Sequence, residues 1–159
     1  MASSQSVGAE QRLSDLGIEL PNPPRPFGAY VESVQSGRLL FLSGMLPVVD
    51  HKPKYVGRLG QELDTESGRD ALRTASMSAL SAARAHLGTL DKVTRIVRLG
   101  VYLATSGDFF DQPKVADAAS ELFESIFGKE KTSVRMVLGV ASLPLGMPVE
   151  LEVIMEVAE

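Results

Sequence analysis

The stretch SVRMVLGVASLPLGMPVELEVIMEV, residues 133–157, predicts two β-strands joined by a turn at Leu143-Pro144. The first strand places Arg135 between apolar residues, and the second places Glu150 between apolar residues. Because side chains alternate along a strand, both charges are expected to point away from the faces that pack the core. Arginine suits bidentate binding of a carboxylate. The partner of Arg135 is therefore either a ligand or a structural partner in an ion pair, for which Glu150 is one candidate.

The composition limits the chemistry that the chain can perform. Its 159 residues suffice for one domain with a buried core. A net charge of −4, a pI of about 5.3 and 6% aromatic residues argue against a nucleic-acid partner. The absence of cysteine excludes thiolate catalysis and disulfides, and the spacing of His51 and His86 predicts no metal site.

Neither a membrane span nor a secretion signal is predicted. The apolar runs stay short of the roughly 18 residues that cross a bilayer, and the N-terminus is small and polar. We therefore expect a cytoplasmic protein without a membrane partner. Residues 1–15 are expected to form a polar tail, which in one interpretation continues into a short helix, and residues 16–159 a single domain.

Local signals predict the remaining elements. Strands over residues 27–34 and 38–44 flank a turn at Gly37, and a long loop follows over residues 48–63. Asp64 is a good N-cap for a helix that ends near Gly88, and Pro113 suits the first turn of a helix that ends near Gly128. A strand over residues 93–103 lies between the helices, with its odd positions from Val97 facing them.

The order β-β-α-β-α-β-β predicts an α+β domain of two layers, with two helices on one face of a mixed sheet. The other face is expected to carry Ile96, Tyr102, Val137 and Ile154, together with a few charges. An open face that mixes apolar and charged residues is typical of a protein interface. We therefore expect a homo-oligomer that covers this face, with Arg135 and Glu150 near a subunit boundary.

Several motifs together resemble one known family. They are Gly28-Ala29-Tyr30-Val31, Ser43-Gly44-Met45-Leu46-Pro47, Val101-Tyr102-Leu103, and Arg135 followed by Leu143-Pro144 and Glu150. In these motifs the chain resembles the Rid family of reactive intermediate deaminases, also called YjgF-type or L-PSP endoribonuclease-like proteins. The resemblance extends from about residue 16 to residue 157.

The resemblance implies a chorismate-mutase-like fold and a homotrimer, with a central barrel of sheets and clefts between subunits. It also implies hydrolysis of 2-imino acids to 2-keto acids and ammonia, without a cofactor or metal. Arg135 is expected to bind the substrate carboxylate and Glu150 to orient water. Tyr30 is expected to line the cleft, and the backbone near Ser43-Gly44 and at Val137 is expected to contact substrate or water.

The chain also departs from the family pattern. Val137 stands where the deaminase branch often has cysteine, and the 50–63 loop is long. The segment at residues 16–24 resembles a longer, divergent branch of the family, in which the substrate class is less defined. Two alternatives therefore stay open: a trimer that binds a small carboxylate without turnover and, less favoured, an endoribonuclease.

Overall fold

The computed structural model describes residues 7–159. In chain order its elements are α1 (Ala9–Asp15), β1 (Ser33–Ser36), β2 (Leu39–Leu42), β3 (Val48–Val49), β4 (Lys52–Pro53), α2 (Thr65–Leu87), β5 (Val93–Ala104), α3 (Gln112–Phe127), β6 (Val134–Val140) and β7 (Val149–Val157). Short 3₁₀ turns occupy Leu90–Lys92, Lys129–Lys131 and Pro144–Gly146.

The five long strands form one mixed sheet in the order β1-β2-β7-β5-β6. Only the pair β5–β6 is parallel within this sheet, and the other neighbours are antiparallel. Helices α2 and α3 pack side by side on one face of the sheet. The structure thus confirms the predicted α+β fold, in which a mixed sheet carries its two long helices on one face.

The predicted boundaries of α2 are confirmed. The Asp64 side chain accepts a hydrogen bond of 2.8 Å from the backbone N–H of Ser67, and Gly88 ends the helix with a φ of 86°. The alanines on the inner face, Ala71, Ala75, Ala79 and Ala83, are fully buried. Their small side chains let the helix axis approach the sheet closely.

The predicted first strand is too early in the chain. Residues 27–30 form a local turn, in which the Tyr30 N–H donates to the carbonyl of Gly28 at 3.0 Å. The strand begins only at Ser33, after this turn has ended. The predicted loop over residues 48–63 also contains structure, since β3 and β4 pair as a small hairpin.

The alternation predicted for β5 is wrong in its first half. The register shifts between Ile96, which pairs with Met155, and Arg98, which pairs with Ile154. A β-bulge of this kind inserts one residue and changes which side chains share a face. Ile96 is consequently buried under the helices, whereas Tyr102 and Ile154 lie on the open face as expected.

Residues 9–15, which were expected to lie in a polar tail, form α1, and this helix packs against the core. Ala9 and Leu13 are buried, and the Glu10 carboxylate accepts hydrogen bonds of 3.1 and 2.8 Å from the Arg84 guanidinium. Apolar residues four apart give this short helix a face to bury. Residues 1–6 of the expected tail lie outside the described residues.

Replacing Leu13 with alanine is expected to lower the free energy of unfolding by about 2–4 kcal/mol, because it leaves a cavity under α1. Leu13 is 2% exposed, whereas Leu16 at the end of the same helix is 51% exposed. Leu16→Ala is therefore the matched control, with an expected change within about 0.5 kcal/mol. Urea denaturation measures both. Equal midpoints for the two variants would contradict the docking of α1.

Candidate active site

Arg135 lies on the helix side of the sheet, contrary to the sequence-based expectation. In the parallel pair β5–β6 it stands beside Leu99, which is buried under the helices. The even positions of β6 form part of the open face instead: Val134, Met136 and Leu138 are 70%, 50% and 44% exposed. The pairing register with β5 decides the orientation of Arg135. Residues that stand beside each other in the two strands point to the same face of the sheet, so the partner of a buried β5 residue also points to the helix side.

The guanidinium of Arg135 is bound to α3. Its Nη1 donates to Asp117 Oδ1 at 2.7 Å and to Ser120 Oγ at 3.1 Å. Asp117 and Ser120 are three residues apart and therefore adjacent on the helix surface. Among residues 7–159, neither Nε nor Nη2 of Arg135 has a hydrogen-bond partner, and 29% of the side chain is exposed.

Glu150 lies on the open face of the sheet, as the alternation predicted. It stands opposite Tyr102 of β5, while Val149 and Leu151 on either side of it are fully buried on the helix face. Its side chain is half-buried, and this burial raises the pKa of the carboxyl above its usual value of 4.5. The carboxylate has no hydrogen bond or ion pair with the described residues 7–159.

A bulge between β2 and β7 presses Gly44 against Glu150. Phe41 pairs with Ile154 and Met45 with Leu151, so four steps along one strand match three along the other. A Cβ at Gly44 would lie 2.1 Å from the Glu150 carboxylate oxygen Oε1. Only glycine therefore permits this contact between the backbone and the carboxylate.

Ser43 and Tyr30 belong to the segment that borders this bulge. The Ser43 hydroxyl donates to the carbonyl of Val31 at 2.6 Å, and its N–H donates to the carbonyl of Glu32 at 2.9 Å. The Tyr30 hydroxyl accepts from the Phe27 N–H at 2.9 Å, and its ring is partly exposed. These bonds hold the chain before β1 beside Gly44.

The structure does not bring the predicted site residues together within one chain. Arg135 and Glu150 lie on opposite faces of the sheet, two strands apart and about 10 Å apart along the strands. The alternative in which they form an ion pair is therefore wrong, and the carboxylate partner of Arg135 is Asp117. Val137 lies with Arg135 on the helix side, where it packs against the core, and not on the open face.

Sequence reasoning missed Asp117, Ser120 and Glu32. Burial raises the pKa of the Glu32 carboxyl. The backbone carbonyl of Glu32 accepts a hydrogen bond from the N–H of Ser43. The only sequence signal for Asp117 and Ser120 is a polar pair, spaced one helical turn apart, at the margin of the apolar stripe of α3. Their proximity to Arg135 follows from tertiary packing.

Other features of residues 7–159 lie outside this region. No group of three or more metal-ligating side chains occurs among these residues, and none of their helices is long and apolar enough to span a membrane. His86 bonds Gln35 at 2.9 Å and thereby links α2 to β1. A cavity of about 610 Å³ lies between residues 19–25, the β3–β4 hairpin and α2, and none of the predicted site residues lines it.

Comparison with known proteins gives matches over nearly the whole chain. The family described as "YjgF/chorismate mutase-like, putative endoribonuclease" matches residues 10–157. Protein TCP17 of Trypanosoma cruzi is 40% identical over 145 residues, which cover 91% of both chains. The 2-iminobutanoate/2-iminopropanoate deaminase of Dermatophagoides farinae is 27% identical and covers 85% of this chain and 91% of its own.

Solved structures share the fold. Atu1372 from Agrobacterium tumefaciens, a protein with unknown function, superposes with a TM-score of 0.86 at 32% identity, and the match covers 94% of this chain and 92% of that one. The family match, the relatives and the superposed fold agree with the family resemblance seen in the sequence. The chain belongs to the YjgF/chorismate mutase-like family.

Proposed function

We propose that this protein hydrolyses small 2-imino acids to 2-keto acids and ammonia. The proposal rests on the Glu150 carboxylate, which is half-buried against Gly44 without a partner among residues 7–159. Burial raises the pKa of this carboxyl, and no neighbouring group in the described part of the chain compensates for the burial. Such carboxyl groups are typical of catalytic sites. The similarity to the D. farinae 2-iminobutanoate/2-iminopropanoate deaminase supports the same reaction class.

Glu150 is the proton acceptor in this proposal. Water adds to the imine carbon and forms a carbinolamine, whose C–N bond then breaks to release ammonia and leave the keto group. The water loses a proton as its oxygen bonds to carbon, and a base beside it lowers the barrier. The raised pKa makes Glu150 a stronger base than an exposed carboxylate. Glu150 passes the proton of the water to the imine nitrogen as the carbinolamine forms, and it then takes the proton of the carbinolamine hydroxyl and delivers it to the nitrogen as the C–N bond breaks.

Arg135 binds the substrate carboxylate, since a single guanidinium can both hold and orient a small imino acid. The Ser43-Gly44 bulge and Tyr30 form the wall of the site beside Glu150, and the backbone of Val137 lies beside Arg135. One chain cannot present Arg135 and Glu150 to the same small molecule, because they lie on opposite faces of its sheet. The proposed cleft therefore takes Arg135 from one copy and Glu150 from another.

The proposed assembly is a homotrimer. The open face exposes Phe41 of β2 and Val134, Met136 and Leu138 of β6, whose burial by neighbouring copies would stabilise the assembly. Light scattering on the purified protein is expected to give the mass of three 17.0 kDa chains. A monomer at micromolar concentration would exclude a cleft between copies.

The reaction is tested directly with unstable imines. An amino-acid dehydratase generates 2-iminobutanoate in the presence of semicarbazide, which captures the imine that survives, and the protein is expected to reduce the captured fraction. Stabilisation by 2-ketobutyrate without hydrolysis would indicate a carboxylate-binding trimer instead. RNA cleavage by nuclease-controlled protein would favour the endoribonuclease, which the acidic pI of about 5.3 disfavours.

Gly44→Ala is expected to lower kcat/KM for imine hydrolysis by about 10- to 100-fold, because the new methyl group displaces the Glu150 carboxylate. The effect on stability is expected to be small, since the end of a flexible side chain can move aside. Gly107→Ala is the matched control: a Cβ there meets no atom within 4 Å, and φ is not positive. Equal activity in the two variants would contradict the role of the Gly44–Glu150 contact.

A further inference from the structure

We infer that Asp117 and Ser120 of α3 are positioning residues, which orient the Arg135 guanidinium so that its Nε–Nη2 edge receives the substrate carboxylate. This inference rests on the proposed function and concerns how its carboxylate site is built. It follows from the way in which Arg135 distributes its hydrogen bonds.

Both hydrogens of Arg135 Nη1 are used within the chain. Nη1 carries two hydrogens and donates two hydrogen bonds, to Asp117 Oδ1 at 2.7 Å and to Ser120 Oγ at 3.1 Å between the heavy atoms. A guanidinium carries five N–H donors, so Nε–H and the two hydrogens of Nη2 remain. No residue between positions 7 and 159 accepts from them.

The remaining donors match a carboxylate. Nε–H and one Nη2–H lie parallel on the same edge of the planar group, and this pair binds the two oxygens of a carboxylate in a bidentate manner. The end-on pair, Nη1 with Nη2, is not available because α3 occupies Nη1. The helix therefore leaves one productive orientation for a bound carboxylate.

The two helix contacts also restrict the motion of the arginine. β6 is the edge strand of the sheet, and its residues have a neighbouring strand on one side only. An exposed arginine loses side-chain entropy when it binds a ligand, and a group already held by two hydrogen bonds loses less. Asp117 and Ser120 therefore raise the affinity for the substrate without touching it.

The test measures steady-state imine hydrolysis and 2-ketobutyrate binding in wild type, Asp117→Ala and Ser120→Ala. Loss of one charge-assisted hydrogen bond is expected to raise KM and Kd about 10- to 100-fold in Asp117→Ala, with kcat changing much less. Ser120→Thr keeps the hydroxyl and is expected to restore most of the affinity lost in Ser120→Ala. This rescue separates positioning from a purely structural role.

Glu121→Ala is the matched control, since Glu121 lies on the same helix as Asp117 but pairs with Arg69 at 2.7 Å and forms no hydrogen bond or ion pair with Arg135. It is expected to leave KM and Kd unchanged. If Asp117→Ala destabilises the fold, Asp117→Asn keeps an oxygen acceptor and is expected to show a smaller rise in KM. Unchanged KM and Kd in the Asp117 variants of an active protein would overturn the inference alone, whereas a wild type that neither binds nor hydrolyses overturns the proposed function as well.

Discussion

Replacing Arg135 with alanine is expected to lower kcat/KM for imine hydrolysis by about 1000-fold. The substitution removes two charge-assisted hydrogen bonds to the substrate carboxylate, each worth about 1.5–3 kcal/mol. It also leaves Asp117 without its 2.7 Å partner, but that carboxylate is 46% exposed and can be solvated. The loss is therefore expected in activity far more than in the free energy of unfolding.

The chain offers a matched control for this substitution. Arg69 also pairs with a carboxylate of α3 at 2.7 Å, and 28% of its side chain is exposed, against 29% for Arg135. Arg69→Ala is expected to retain wild-type activity, while Arg135→Lys is expected to restore only part of it, because an ammonium cannot form the planar bidentate contact. Similar kcat/KM values for Arg135→Ala and Arg69→Ala would exclude a carboxylate-binding role for Arg135.

The helices could be predicted because their signals are local. Asp64 bonds the N–H of Ser67 three residues away, Gly88 ends α2 with a positive φ, and Pro113 lies in the first turn of α3. None of these contacts depends on the rest of the fold. Glu150 was also oriented correctly, because β7 has neighbours on both sides and its odd positions are all fully buried on one face.

The orientation of Arg135 could not be predicted because both faces of β6 carry apolar residues. At the edge of the sheet, the strand buries Val137 only partly and exposes Met136, so the alternation alone does not distinguish the core side. Pairing with β5 settles the choice, and this is a contact between distant parts of the chain. The same limit applies to the bulge beside Gly44 and to the Asp117–Arg135 pair.

Replacing Glu150 with glutamine is expected to lower kcat for imine hydrolysis by about 100-fold or more, because the amide cannot accept the proton of the attacking water. The size and shape of the side chain are kept, so Gly44 can still pack against it. In the wild type, activity is expected to rise with pH as the carboxyl loses its proton, with a midpoint above 4.5 because burial raises the pKa of Glu150. This limb of the pH–rate profile is expected to disappear in Glu150→Gln.

In Glu150→Gln the stability of the fold is expected to rise while the activity falls. A carboxyl whose pKa is higher in the folded than in the unfolded state contributes stability below its unfolded pKa, and that contribution is lost as the pH rises through the folded pKa. Above the folded pKa the wild type holds a half-buried charge that has no partner among residues 7–159, and in this pH range Glu150→Gln is expected to raise the unfolding temperature. Glu152→Gln is the matched control: Glu152 lies on the same face of β7 but pairs with Arg98 at 3.1 Å. If Glu150 is a catalytic carboxylate, Glu150→Gln is expected to be more stable and far less active than the wild type, while Glu152→Gln keeps its activity. Equal activity in Glu150→Gln and Glu152→Gln would contradict that role.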